Sequence, residues 1–214
     1  MEADGARSEA WASVATLPRV LSLAEDNSLR LEPAPELQSL RTNPRHRENL
    51  VVSGELPLDG VRGDCLEISA VIEPDDAREF GLKVRCSPGG EEQTVILCAP
   101  GDKTLKVEFG RATLNQAVKY PIAYPDWAKA QQLPEEKRFT KEQVAPLELK
   151  PGEPLRLRVF LDRSVLEVFA NERQCVTQRI YPTRRDSLGV ALVSRGGGMK
   201  VKSLDVWDVH PVND

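Results

Sequence analysis

Residues 155–170 constrain the fold more than any other part of this chain. In 155–161 Leu155, Leu157, Val159 and Leu161 alternate with Arg156, Arg158 and Phe160. Side chains on a strand point to opposite faces in turn, so this period of two is a strand with one apolar face. Asp162-Arg163-Ser164 is a tight polar break, and Val165-Leu166-Glu167-Val168-Phe169-Ala170 returns. Two such runs joined by so short a break predict a β-hairpin. Asn171-Glu172-Arg173 then makes a second turn into a strand at 174–181, which Pro182 ends because it has no N–H for the ladder.

The same grammar holds along the chain. Strands are expected at 14–23, 29–32, 49–56, 64–72, 79–86, 92–98 and 104–109, and again at 187–194 and 199–209. Most of the 16 prolines and 14 glycines fall between these runs. Gly89-Gly90 and Gly196-Gly197-Gly198 read as hairpin turns, since glycine tolerates positive φ. Helical signal is poor: one short helix at 35–41, with Pro35 in its first turn, and another at 127–133, stopped by Pro134. About a dozen strands predict an all-β fold, a two-sheet antiparallel sandwich of jelly-roll type. The segment 111–146 has no sustained period and reads as a long insert.

Composition narrows the function. The 29 basic and 33 acidic residues are interleaved, with a net charge of -4, which argues against the basic stripe of a nucleic-acid binder. No apolar run is long enough to span a bilayer. The start is polar, with Glu2, Asp4 and Glu9, and has no secretory-signal pattern, so a cytoplasmic setting is the default expectation. Cys65, Cys86, Cys98 and Cys175 form no C-x-x-C pair, and neither His46 nor His210 lies near them in sequence. We therefore expect free thiols, no metal and no cofactor.

Catalytic constellations are also missing. A glycosidase needs two facing carboxylates, and the best local pair is Asp162 and Glu167 on the hairpin. The plainer reading makes them surface charges beside Arg163 and Arg158. No G-x-S-x-G elbow or phosphate loop occurs. His46 lies in the polar run 43–47, which reads as an exposed loop, and His210 is close to the terminus.

The hairpin 157–171 resembles the C-terminal module of glycoside hydrolase family 32, the invertases, levanases and inulinases that cleave β-fructofuranosides. Arg179-Ile180-Tyr181-Pro182 and Ser203-Leu204-Asp205-Val206-Trp207 follow in matching order. Upstream, Leu17-Pro18-Arg19-Val20-Leu21-Ser22-Leu23 resembles the strand where that family's catalytic propeller hands over to this module. The resemblance implies a domain plan of a junction segment at 1–23, a sandwich at 24–210 with its insert near 111–146, and a tail at 211–214. It implies a partner too, the five-bladed propeller that carries the chemistry.

That propeller's Asn-Asp-Pro, Arg-Asp-Pro and Glu-Cys motifs do not occur in this sequence, so no catalytic residue carries over. Such a chain is expected to be a gene fragment, a trimmed chain or one half of a split enzyme. The expected role is accessory: stabilising a fructan- or sucrose-cleaving enzyme, with no catalysis by this chain. Two alternatives are a freestanding carbohydrate-binding module and a homo-oligomerisation module. For the former, the candidate residues are Tyr120, Tyr124, Asp126 and Trp127, where stiff prolines space the rings for stacking on sugar. The favoured reading of this loop is a latch, its rings packed onto the sandwich to pin the insert.

Overall fold

The computed structural model describes residues 14–122 and 132–210. Twelve strands account for most of it: β1 (Arg19–Leu23), β2 (Leu29–Pro33), β3 (Arg41–Arg62), β4 (Cys65–Pro74), β5 (Glu79–Cys86), β6 (Thr94–Ala99), β7 (Thr104–Glu108), β8 (Glu142–Pro146), β9 (Leu155–Asp162), β10 (Val165–Ala170), β11 (Gln174–Arg179) and β12 (Gly189–Val209). β1 and β2 pair only with each other. The other ten make one antiparallel sheet that doubles over into two layers.

Two long strands create the doubling. The second half of β12 pairs with β4, and its first half with β5. β3 follows β12 along both halves. One layer therefore runs β3–β12–β4–β9–β10–β11 and the other β3–β12–β5–β6–β7–β8. On the far side the layers meet where the Gln174 amide donates to the Pro146 carbonyl at 3.1 Å. Inward residues of both layers, such as Leu66, Ile68, Val159 and Leu166 from one and Phe80, Leu82, Ile96 and Leu105 from the other, share one apolar core. The all-β sandwich expected from the alternation is the architecture observed.

Several local readings need correction. Residues 196–198 do not make a hairpin turn. β12 runs straight through them with a bulge, the β3 partner passing from Glu55 at Val193 to Ser53 at Gly198. Gly196 and Gly197 have φ of +68° and +146°, and a Cβ on Gly197 would lie 2.3 Å from the Asp76 backbone. Glycine is thus required there, for a bulge. His46 is not in a loop but within β3, its Nδ1 2.6 Å from Asp205 on β12. The helix at 35–41 is a 3-10 helix, Pro35–Leu40. The helix expected at 127–133 falls mostly outside the described residues, and 132–133 are not helical.

The insert is more ordered at its ends than its sequence suggests. Its last residues form β8 against β7. Its first residues are tied to Glu92, which is fully buried. The Glu92 carboxylate accepts hydrogen bonds from the Leu114 N–H (3.0 Å), the Thr183 N–H (2.8 Å) and hydroxyl (2.6 Å), the Arg184 N–H (3.1 Å) and the Ser187 hydroxyl (2.6 Å). Burial raises its pKa, but the hydrogen bonds from Ser187, Thr183 and Arg184 outweigh burial and bring it down to about 2.

Candidate functional site

The outer face of the β4–β9–β10 layer is the distinctive surface of the molecule. Register places Glu67, Phe160 and Glu167 side by side across these three strands. Both glutamates are buried although they point away from the core. The segment 14–41 covers them. Leu37 packs on Phe160 and Phe169, with Leu17, Leu40 and Cys175 around the rim, and the two rings meet edge to face with centroids 6.0 Å apart.

Each glutamate fastens one end of this strap. The Glu167 carboxylate accepts the Leu17 N–H and an Arg19 guanidinium N–H, each at 2.6 Å. Arg19 also donates to the Thr177 hydroxyl at 2.7 Å and lies over the Phe169 ring. Glu67 accepts a two-pronged pair from Arg41 at 2.8 and 2.7 Å, and a third bond from Arg158 Nε at 2.6 Å. Arg41 stacks 3.9 Å above the Trp207 ring. A buried carboxylate is stable only when paired and hydrogen-bonded, and both conditions are met here. Between the two anchors, the Leu31 N–H of β2 donates to the Glu172 carbonyl at 2.7 Å, and Arg30 pairs with the Glu172 side chain.

The strap leaves two features open. The β1–β2 hairpin exposes Val20, Leu21, Leu23 and Leu29, with 43%, 61%, 68% and 50% of their surface accessible. Beside it, an apolar cavity of about 380 Å³ opens among Ala15, Leu17, Leu40, Phe160 and Val165. Leu21, Leu23 and Leu29 share one face of this short hairpin, with Val20 on the other, and apolar patches of this kind mark contact surfaces.

The residues singled out from sequence fall as follows. Asp162 is exposed and Glu167 buried, and both line the junction cavity; Glu167 is no surface charge, and its partner is Arg19. Tyr120 packs against Phe109 and Tyr181 at centroid distances of 4.7 and 6.0 Å, the packing a latch requires of that ring. Tyr124, Asp126 and Trp127 lie outside the described residues. All four cysteines are free. Burial pushes the thiols of Cys86 and Cys175 up to about 11 and that of Cys98 to about 12, so they are poor nucleophiles at neutral pH. Glu67 and Arg41 were not anticipated. Their signal was a glutamate inside an apolar strand and an arginine after a Pro-initiated turn, neither of which identifies a buried pair by itself.

Fold and surface together define an antiparallel β-sandwich with its N-terminal segment strapped across one face. The chain belongs to glycosyl hydrolase family 32: the model described as "Glycosyl hydrolases family 32 C terminal" matches residues 36–208. It is similar to a levanase of Bacillus subtilis (strain 168), 34% identical over 94% of this chain and 28% of that protein. It is also similar to beta-fructofuranosidase 1 of Zea mays, 28% identical over 94% of this chain and 33% of that protein. The chain thus spans about a third of the length of these relatives. Among solved structures, fructan 1-exohydrolase IIa of Cichorium intybus superposes with a TM-score of 0.73 at 17% identity, covering 91% of this chain and 40% of that one. That likeness bears on the fold.

Proposed function

We propose that this chain is the accessory, non-catalytic sandwich of an enzyme hydrolysing β-fructofuranosides such as sucrose, levan or inulin, and that it stabilises the catalytic domain preceding it. The observation that carries this reading is the strapped hairpin. Its exposed leucines are held in place by buried ion pairs at Glu167 and Glu67, on a segment that leads into the sandwich from its N-terminal side. A segment needing no partner would turn those leucines inward. Burying them against a neighbour would contribute roughly 1.5–3 kcal/mol per side chain.

Two outcomes test this. The chain alone should release no reducing sugar from sucrose, inulin or levan at high protein concentration; sustained turnover by the purified chain would overturn the reading. The double substitution Leu21→Asp with Leu23→Asp should leave the melting temperature of the isolated sandwich within about 2 °C, because exposed sites contribute little. In a polypeptide that also carries the catalytic domain, it should lower the melting temperature by about 5 °C or more. Equal effects in both contexts would mean that the hairpin docks nothing. In the isolated chain the same substitution should reduce self-association measured by light scattering.

A further inference from the structure

A second concavity lies on the other layer, apart from the strap. It is a polar cleft of about 480 Å³ whose charged walls are Arg62, Lys83, Arg111, Glu55 and Asp186. The turn from Arg62 to Cys65 separates it from the apolar junction cavity, which has Cys65 in its wall. Its size is that of a small-molecule site.

The charges in this cleft are not all neutralised. Lys83 is paired with Glu55. Asp186 is held by Arg184 at 2.8 Å. Neither Arg62 nor Arg111 forms an ion pair with a carboxylate among the described residues: Asp186, whose pKa is held down chiefly by its hydrogen bonds from Arg184, feels Arg62 only as a weaker neighbouring charge, and Arg111 donates to the Gly90 carbonyl. Two guanidinium groups with spare donors therefore face one cleft in a chain whose net charge is -4. A guanidinium fork matches the oxygens of a phosphate better than any neutral ligand. The turn Ser87-Pro88-Gly89-Gly90 also lines it; Gly90 leaves open space where a side chain would stand, whereas the Glu91 carboxylate covers Gly89. Gln93 lines the same cleft, and with Glu55 it supplies acceptors and donors suited to hydroxyls. No aromatic ring lines it among the described residues, so a neutral sugar would lack a stacking platform.

We propose that this cleft binds a phosphorylated sugar, with Arg62 and Arg111 holding the phosphate and Glu55 and Gln93 contacting hydroxyls. The proposal stands apart from the docking role of the strap. The experiment titrates the chain with fructose 6-phosphate, inorganic phosphate and fructose at low ionic strength by calorimetry, with backbone amide shifts recorded in parallel. Fructose 6-phosphate should bind saturably with a Kd on the order of 1 mM or tighter, and more tightly than inorganic phosphate or fructose. Arg62→Gln and Arg111→Gln should each weaken it about tenfold, a change equivalent to about 1.4 kcal/mol. Added salt should weaken it too, because the site is open to solvent. Lys202→Gln, at a separate surface pair with Glu73, should leave it unchanged. Both arginines are exposed, so an unchanged melting temperature verifies that the variants fold. Non-saturable binding, unaltered affinity in the double arginine variant, or equal affinity for inorganic phosphate would each overturn the proposal.

Discussion

Replacing Glu92 with alanine should destabilise the fold by about 3–5 kcal/mol, a loss on the scale of breaking a buried charged network. The carboxylate is fully buried and satisfies five donors on two separate segments, at Leu114 and at 183–187. Deleting it leaves the N–H groups of Leu114, Thr183 and Arg184 and the hydroxyls of Thr183 and Ser187 without this acceptor. The same group should make the fold acid-sensitive. Its pKa in the fold is about 2, against an ordinary value of 4.5. Because the folded value is depressed, the unfolded chain binds the proton more readily. The stabilisation is complete above pH 4.5, and is lost as pH falls from there toward about 2. The shift corresponds to about 3 kcal/mol. Denaturant unfolding between pH 7 and pH 2.5 checks this, with Glu92→Gln as the reference because its amide does not titrate. The acid-dependent loss should be smaller in Glu92→Gln by about that amount. Parallel pH profiles for the two proteins would show that Glu92 is not the group responsible.

The layers of the sandwich were legible in sequence wherever one strand face met the core. Leu155, Leu157, Val159 and Leu161 alternate because their partners on β4 and β10 alternate as well. The hairpin break at Arg163 was legible for a related reason: the chain takes a φ of 51° there, and a short polar turn is where such a conformation is accommodated.

The reading failed where a local rule met a tertiary exception. Three glycines in a row predict a turn, but a bulge inside a long strand needs the same dihedral freedom. β8 carries a proline and only two apolar residues, too little for a strand pattern, and it forms because β7 offers an open edge. Glu67 and Glu167 sit at outward positions of their strands, where period two assigns solvent. Nothing in the alternation shows that residues 14–41 return to cover that face. The strap is a long-range event, joining residues 148 and 150 positions apart in the chain at Glu167, and short-range pattern carries no information about it.

Glu67 offers the second large effect, and its pattern separates a charged anchor from simple packing. Glu67→Ala should cost about 3–5 kcal/mol, since it leaves Arg158 and Arg41 beneath the strap without their shared counter-charge. Much of that cost belongs to the stranded cations and not to the lost glutamate. The substitution Arg158→Met made on top of Glu67→Met should therefore recover part of the loss. Methionine fills the space beside Phe160 without a charge to desolvate, and Arg41, stacked on Trp207 and one-fifth exposed, can turn its head group to water. A double-mutant cycle should give a coupling energy above about 1 kcal/mol for Glu67 and Arg158. Hydrogen exchange supplies a second readout. Strap amides whose acceptors lie on the sandwich or on the strap itself, those of Leu31 and Ala34, should exchange faster in Glu67→Ala, while amides of the Leu155–Asp162 strand keep their protection. Additive losses in the cycle, with strap and core amides slowed or hastened together, would mean that Glu67 supports the sandwich as a whole and does not anchor the segment that carries the exposed hairpin.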